Sequence, residues 1–265
     1  MSARIAWISF TPVKGLRVQE LREAELTGTG IVGDRAFLLV DATGAMANGK
    51  RHGALLAVVA EHDAAEGRLT LRFPDGRVVE DAIELGAPED VGFYRGALRV
   101  RPVAGPFSAA LSEHAGAALR LVAAPGGRDG VSGVDRGRDG AVTLLSRASL
   151  ERLRVQSGDA VPVDPRRFRM NIGIEGVEAH AEDGWLGRTL RIGTALVRVT
   201  GHVGRCAVTT RNAESGVVDF PTLHHLEAYR GAAAQPDATE RLPFGVHARV
   251  LEAGRVRVGD AVILA

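Results

Sequence analysis

The sequence contains very little cysteine. Cys206 is the single cysteine in 265 residues. One thiol excludes an intramolecular disulfide framework, a protein-held iron–sulfur cluster with four cysteine ligands, and a cysteine-rich zinc site. Because such cysteine usage is typical of a reducing compartment, we expect a cytoplasmic protein.

Lysine is almost as scarce. Lys14 and Lys50 are the only lysines among 33 basic residues, and the others are arginines. A lysine in such a background is expected where a compact ammonium is needed instead of a planar guanidinium. Either lysine could equally have been retained by chance as by a need for an ammonium group. Composition alone therefore assigns no role to them.

Long apolar runs and an excess of one charge are also missing. The formal net charge is +1, which gives no reason to expect a nucleic-acid partner or a polybasic membrane patch. No stretch approaches the roughly 18 apolar residues of a transmembrane helix. The first residues lack the apolar core of a signal peptide. We therefore expect neither a membrane span nor a secretion signal.

Short apolar runs separated by glycine, proline and aspartate turns dominate the first part of the chain. This pattern is typical of a β-barrel or a β-sandwich. The predicted strands are residues 4–10, 20–27, 36–40, 55–60, 68–73 and 98–103. Residues 102–106 contain two prolines and a glycine and indicate a junction, so we divide the chain into residues 1–104 and 105–265.

The second part of the chain mixes strands with short helices. Residues 142–145 predict a strand, Ser146 opens a helix that ends at Gly158, and a second helix ends at Gly231. Residues 189–192 and 195–200 predict a hairpin. The fold class is therefore mainly β with a few short helices. Residues 125–140 are rich in glycine and predict a loop. The pattern slightly favours a surface linker over a lid that covers a site.

Three groups of residues are candidates for function. Cys206 lies between Arg205 and Thr209, and cationic neighbours favour the thiolate, the form that binds metals and attacks electrophiles. A lone cysteine is more often a small buried hydrophobe. Arg167, Arg169 and Asn171 would share one face of a strand, either as an anion-binding grip or as a solvated face. The adjacent Asp34 and Arg35 follow a glycine-rich loop whose backbone could approach a ligand closely. The alternative is a surface ion pair that contributes little to stability.

Eight short motifs in order resemble one family. The motifs are Pro12-Val13-Lys14-Gly15, Gly33-Asp34-Arg35-Ala36-Phe37, Leu145-Ser146-Arg147-Ala148-Ser149-Leu150, Arg167-Phe168-Arg169-Met170-Asn171-Ile172, Glu182-Asp183-Gly184-Trp185, Gly204-Arg205-Cys206-Ala207-Val208-Thr209-Thr210, Pro243-Phe244-Gly245 and Val258-Gly259-Asp260. Together they resemble the MOSC superfamily, including its N-terminal barrel, and especially the branch of the mitochondrial amidoxime-reducing component and its bacterial relatives. The resemblance implies a MOSC β-barrel domain plus an N-terminal β-barrel subdomain.

The resemblance also implies a cofactor and its ligands. In that branch a cysteine binds the molybdenum of a pterin cofactor, and the matching residue is Cys206. The residues that match positions around the cofactor are Lys14, Arg35, Ser146, Arg169, Asn171, Arg205 and Thr209. The implied activity is the reduction of N-hydroxylated or N-oxide small molecules with electrons from a separate electron-transfer protein.

The chain departs from the family pattern near the expected substrate side. Thr11, Gly15, Met170, Ala141 and Val142 stand where the family usually has tyrosine, serine, proline, an aromatic residue and proline. Two alternatives therefore stay open. One is a metal-free enzyme in which Cys206 is a nucleophile or carries sulfur without pyridoxal phosphate, acting on an anionic small molecule. The other is a non-catalytic protein that binds or delivers the cofactor.

Overall fold

Among the residues that the structure describes, the fold is built from two groups of β-sheets with three helices on their surfaces. The computed structural model describes residues 2–94, 96–125, 137–231 and 240–265. The strands are β1 (Arg4–Phe10), β2 (Gln19–Leu21), β3 (Glu23–Thr27), β4 (Gly30–Ile31), β5 (Phe37–Asp41), β6 (Val59–Asp63), β7 (Arg68–Arg72), β8 (Val78–Ala82), β9 (Glu89–Phe93), β10 (Gly96–Pro102), β11 (Leu119–Ala123), β12 (Val142–Ser146), β13 (Ile172–Glu175), β14 (Thr189–Ile192), β15 (Ala195–Gly204), β16 (Pro243–Glu252), β17 (Gly254–Arg257) and β18 (Val262–Leu264). The helices are α1 (Phe107–Ala115), α2 (Arg147–Ser157) and α3 (Thr222–Arg230). The predicted mainly β class is confirmed.

The larger sheet has eight strands in the order β18-β14-β15-β16-β12-β13-β1-β2. Strands β12 and β13 run parallel, and the other neighbours in this sheet are antiparallel. Strand β15 shows why the sheet has one buried face, since Ala195, Val197 and Val199 are buried while Arg198 between them is exposed. Isoleucine, leucine and valine from the neighbouring strands complete this core.

The N-terminal strands form a second core. A four-stranded sheet has the order β5-β11-β10-β9, and β6, β7 and β8 form a separate three-stranded sheet. Leu39 on β5 pairs with Leu121 on β11, and Phe107 on α1 is fully buried in the same cluster. Helix α1 and strand β11 therefore share a core with the strands that precede them. The division into residues 1–104 and 105–265 stays a prediction.

Two predicted strands are wrong. Residues 55–60 were expected to be a strand, but Gly53–Ala57 is a 3-10 turn and β6 begins at Val59. Leu55, Leu56 and Ala57 are all buried, and a continuous apolar run does not distinguish a buried turn from a buried strand.

The strand expected to carry Arg167, Arg169 and Asn171 on one face is the second error. Pro165–Phe168 is a 3-10 turn, which the carboxylate of Asp164 begins by accepting a hydrogen bond from the Arg166 N–H at 2.8 Å. Arg169 has a left-handed backbone, and β13 begins only at Ile172.

Other predictions agree with the structure. Ser146 caps α2 by accepting a hydrogen bond from the Ser149 N–H at 3.1 Å, and Gly158 ends that helix with φ +72°. The hairpin of β14 and β15 is confirmed. Residues 126–136 of the predicted loop lie outside the described residues, and Gly137–Gly140 forms a short 3-10 turn. Within the described ranges, none of the helices has the length and apolar character needed to cross a bilayer.

A cluster of buried polar residues lies between α2, α3 and β16. The carboxylate of Glu182 is fully buried and accepts hydrogen bonds from the Ser146 N–H at 3.1 Å and the Ser149 hydroxyl at 2.8 Å. Burial raises the pKa of Glu182 above its usual range. The ring of His180 packs between Tyr229 and Phe244, with centroids 5.7 and 5.8 Å away, and burial lowers its pKa to about 4.

We expect His180 to make stability depend on pH. Its pKa is about 4 in the folded chain and 6.5 when unperturbed, so the unfolded chain binds more protons between these values. The stabilisation is complete above pH 6.5 and is lost as the pH falls towards 4. His180→Phe removes this loss, so its unfolding free energy should fall about 2 kcal/mol less than that of the wild type between about pH 7 and about pH 4.5.

Urea denaturation of both proteins at the two pH values measures this difference. The prediction would be contradicted if the unfolding free energies of the wild type and of His180→Phe fell by the same amount between the two pH values.

Candidate functional site

A cleft of about 860 Å³ lies where the larger sheet meets the N-terminal strands. Its lining includes the only cysteine, both lysines and three arginines of the chain. The lining residues that the structure describes are Lys14, Gly15, Arg35, Asn48, Gly49, Lys50, Leu56, Tyr94, Gly140, Thr143, Phe168, Arg169, Met170, Asn171, Val203, Gly204, Arg205, Cys206, Val208 and Glu240. Lys14, Arg35, Arg169, Asn171, Arg205 and Cys206, which sequence motifs selected, are all part of it.

Segments from distant parts of the chain meet at this cleft. The segment after β1 is held by the start of β5, because the Lys14 N–H donates to the Phe37 carbonyl at 2.8 Å and the Arg35 N–H to the Thr11 carbonyl at 2.7 Å. The end of β1 is also tied to the segment before β13, since the Ser9 N–H donates to the Asn171 carbonyl at 2.7 Å. The lining residues therefore lie on a rigid backbone frame.

Asp34 is the centre of that frame. Its side chain is fully buried and accepts hydrogen bonds from the Thr11 N–H at 2.9 Å and the Asn171 Nδ2 at 3.0 Å. It also pairs with the guanidinium of Arg35. The interpretation of Asp34 and Arg35 as a surface ion pair is therefore wrong, because this carboxylate joins three segments inside the protein.

Asn171 extends the frame to β12. Its side-chain oxygen accepts hydrogen bonds from the N–H and the hydroxyl of Thr143 at 3.2 and 3.0 Å. Only 3% of Asn171 is exposed. The side-chain oxygen and one N–H of Asn171 thus form hydrogen bonds inside the protein. Asn171 therefore contributes to the cleft by holding Thr143 and Asp34 in place.

Arg35 and Arg169 form a linked pair in the cleft wall. The Nη2 of Arg35 donates to the Arg169 carbonyl at 2.9 Å. Both residues have left-handed backbones, with φ of 54° and 55°. That conformation costs a non-glycine residue roughly 1–2 kcal/mol and is common at sites where side-chain direction matters for function. Both arginines are half-buried, so their charges lie inside the cleft.

Arg205 connects two backbone segments that line or support the cleft. Its guanidinium donates to the carbonyls of Phe244 at 2.8 Å and Phe168 at 3.1 Å, and its Nη2 lies 2.9 Å from the Met170 sulfur. Gly245 must be glycine here, since its φ is +84° and a Cβ would lie 2.8 Å from the Met170 Cε. Arg205 therefore contributes positive charge to the cleft while its hydrogen bonds hold two loops in register.

Cys206 lies at the end of β15 and begins a 3-10 turn, Ala207–Thr210. It is half-exposed and its thiol is free. Thr209 is buried and donates to the Cys206 carbonyl from its N–H and its hydroxyl, both at 3.0 Å. The Thr222 hydroxyl in turn donates to the Thr209 carbonyl at 2.7 Å. Thr209 thus positions the cysteine backbone and does not line the cleft.

Ser146 is not brought to the cleft either. It is fully buried, and its hydroxyl lies 2.6 Å from the Ser149 hydroxyl at the start of α2. Its structural role as a helix cap accounts for its hydrogen bonds. Arg167 also lies outside the lining, where it pairs with both carboxylate oxygens of Asp219 at 2.6 and 2.8 Å and lowers the pKa of that group.

Sequence motifs did not select five polar residues of the cleft, namely Asn48, Lys50, Tyr94, Thr143 and Glu240. The Nζ of Lys14 lies 5.9 Å from the centroid of the Tyr94 ring, within cation–π range. Only the scarcity of lysine gave any signal for Lys50. The other four have no motif and come to the cleft through tertiary structure.

Positive charge is concentrated in this cleft. Among the described residues, five cationic side chains line it, Lys14, Arg35, Lys50, Arg169 and Arg205, against one lining carboxylate, Glu240, and the buried Asp34 that pairs with Arg35. The whole chain has a net charge of only +1, so this excess is local. A concave site with one sign of charge attracts an oppositely charged ligand. The cleft is therefore suited to an anion that also contacts a thiol.

A smaller depression of about 360 Å³ lies elsewhere on the surface. Its arginines include Arg191 and Arg257, which pair with Glu252 at 3.5 Å and Glu23 at 2.9 Å. Since acidic partners compensate these charges, the cleft around Cys206 is the stronger candidate site.

Comparison with known families and proteins agrees with the motifs. Residues 128–263 match the MOSC domain, and residues 2–92 match the MOSC N-terminal beta barrel domain. Mitochondrial amidoxime-reducing component 1 of Xenopus laevis is 34% identical over 124 residues, 46% of this chain and 35% of that protein. Molybdenum cofactor sulfurase of Oryza sativa subsp. japonica is 26% identical over 235 residues, 78% of this chain and 28% of that protein. The chain thus spans about a third of the length of these curated relatives.

Similarity to solved structures is weaker. The YuaD protein of Bacillus subtilis aligns with 99% of this chain and 94% of its own, at 10% identity and a TM-score of 0.45. YiiM of Geobacillus stearothermophilus aligns with 49% of this chain and 56% of its own, at 20% identity and a TM-score of 0.35. These values are too low to bear on function.

Proposed function

The chain belongs to the MOSC domain family, and we propose that it is an oxidoreductase that binds a molybdenum-pterin cofactor and reduces N-hydroxylated or N-oxide compounds. One observation carries the proposal. The only thiol of the chain lies in a large cleft whose lining has five cationic side chains and one carboxylate. The names of two relatives support the two parts of the proposal, since one is a molybdenum cofactor sulfurase and the other an amidoxime-reducing component.

The residues in the cleft fit such a cofactor. A thiolate is a soft ligand that suits molybdenum, and arginine and lysine suit a phosphate. A cleft of about 860 Å³ is within the usual size range of cofactor sites. The described residues include no cluster of three or more His, Cys, Asp or Glu side chains able to hold a metal ion. The metal would therefore arrive with ligands of its own, as it does in a pterin cofactor.

Each part of the cleft has a distinct role in this proposal. Cys206 would hold the metal, and Lys14, Arg35 and Arg169 would bind the phosphate and the ring system. Asn171 and Arg205 keep these groups in place through their bonds to Asp34 and to the Phe168 and Phe244 carbonyls. When bound, the cofactor would supply the two-electron chemistry that breaks an N–O bond.

The overall reaction needs electrons that this chain does not store itself. An N-hydroxy compound, two electrons and two protons give the amine and water. The single cysteine cannot hold an iron–sulfur cluster. A separate electron-transfer protein is therefore part of the proposal, together with a small-molecule substrate and a cytoplasmic location.

We expect protein from a host that makes the cofactor to contain about one molybdenum and one pterin per chain. It should also reduce benzamidoxime with an artificial reductant. Metal analysis, fluorescence of the oxidised pterin and product chromatography measure the three quantities. Protein without molybdenum or pterin would refute the proposal, and a persulfide or covalent adduct on Cys206 would support a metal-free enzyme instead. Cofactor without turnover of any N-hydroxy compound would support a binding or delivery protein.

A further inference from the structure

Lys50 lies at the mouth of the cleft and has no role in the proposed binding of the cofactor. It is exposed, whereas Lys14, Arg35 and Arg169 are half-buried in the interior. Within the described part of the chain, no hydrogen bond or ion pair engages its ammonium. A lysine in this position has a charge available to a ligand that enters the cleft.

The loop that carries Lys50 is held firmly against the cysteine segment. The Nη2 of Arg211 donates to the Lys50 carbonyl at 2.8 Å, and its Nη1 donates to the Gly216 carbonyl at 2.8 Å. Gly49 is buried against Val208, and a Cβ on this glycine would lie 3.2 Å from the Val208 Cγ2. The Lys50 backbone is thus fixed relative to the segment that starts at Cys206 and contains Val208 and Arg211.

The neighbouring cation is arranged differently. Arg51 is not part of the cleft lining, and its Nη1 lies 3.4 Å from the carboxylate of Asp41. Two adjacent basic residues therefore have different surroundings, one in the cleft mouth and one paired on the surface. The chain has only two lysines, and both line this cleft. A compact ammonium suits a rim position, where it contacts a ligand group as a point charge.

We propose that Lys50 binds an anionic group, a carboxylate or a phosphate, on the substrate of this cleft. This inference rests on the proposed function for its reaction, and it narrows the substrates to N-hydroxy compounds that carry a negative charge away from the N–O bond. The interior cations bind the cofactor, and Lys50 selects the substrate at the entrance.

The first test needs no cofactor. Cys206 is the only thiol, so its alkylation in protein from a host without cofactor synthesis reports the potential at the cleft. The measured quantity is the ratio of the rates with anionic iodoacetate and neutral iodoacetamide at low ionic strength. Lys50→Glu should lower this ratio about fivefold, and Lys50→Arg should retain it. Arg51→Glu makes the same change in net charge one residue away and should change the ratio much less.

The second test uses the loaded enzyme, an artificial reductant and two substrates, benzamidoxime and its para-carboxylate. Lys50→Ala should raise KM for the carboxylated compound about fivefold and leave kcat, and both constants for the neutral compound, near wild type. Equal effects on both compounds, or equal alkylation ratios for Lys50→Glu and Arg51→Glu, would overturn the proposal. If the wild type reduces neither compound, the proposed function fails, while the alkylation ratio still decides whether Lys50 attracts anions.

Discussion

Replacing Asp34 with alanine is expected to lower the free energy of unfolding by about 4 kcal/mol. Asp34 is fully buried and accepts hydrogen bonds from the Thr11 N–H, the Asn171 amide and the Arg35 guanidinium. Removing the carboxylate leaves a buried N–H and a largely buried cation without their acceptor, and each such group costs about 1–3 kcal/mol or more. The same change should release Arg35 from its place beside Arg169, so we also expect the proposed cofactor to be lost.

Urea denaturation and metal analysis of Asp34→Ala and Asp34→Asn measure both effects. The asparagine variant keeps one acceptor oxygen and should lose less stability than the alanine variant. Asp90→Ala is a matched control, because Asp90 forms an ion pair with Arg99 at 3.1 Å in which both side chains are 61% exposed. It should cost less than about 1 kcal/mol. An Asp34→Ala protein as stable as Asp90→Ala would contradict the role of Asp34 as the centre of the frame.

Local sequence signals predicted the elements that depend on neighbouring residues. Helix α2 has its cap at Ser146 and its end at Gly158, and both signals act within one turn of the helix. The hairpin of β14 and β15 follows from alternating apolar residues on each side of a glycine turn. In both cases the residues that determine the structure are close in sequence.

The same kind of reasoning fails where distant residues decide. Arg169 would extend a strand by pattern, but the Arg35 guanidinium holds its carbonyl from 134 positions away and the backbone is left-handed. Asp34 looked like half of a surface ion pair because Thr11 and Asn171, its other partners, are remote in sequence. Neither contact produces a periodic pattern, so neither could be predicted from the residues around it.

The candidate site was predicted by motifs and only partly by chemistry. The motifs selected Lys14, Arg35, Arg169, Asn171, Arg205 and Cys206, and all six line one cleft. They also selected Ser146 and Thr209, which are both buried. Ser146 caps helix α2, and Thr209 donates a hydrogen bond to the Cys206 carbonyl. A motif records that a residue type recurs, but it does not distinguish a residue that binds a ligand from one that holds its neighbour in place. The structure makes that distinction through burial and hydrogen bonds.

Cys206→Ala is expected to lower the molybdenum content and the reductase activity by more than about a hundredfold. No other thiol exists in the chain, so no second thiolate ligand can replace it. The folded protein should survive the change, because Cys206 is half-exposed and its contacts to Thr209 use only the backbone carbonyl. We expect the free energy of unfolding of the cofactor-free protein to change by less than about 1 kcal/mol.

Two further variants separate ligation from positioning. Cys206→Ser keeps the shape and offers a harder oxygen ligand, so it should bind less molybdenum than the wild type and, if any is bound, give a different absorption spectrum. Thr209→Val removes one hydrogen bond to the Cys206 carbonyl and should cost about 1 kcal/mol of stability while most of the metal is retained. A Cys206→Ala protein with wild-type molybdenum would show that the metal is held elsewhere. A Thr209→Val protein without metal would instead show that the position of the Cys206 backbone is as important as the thiol itself.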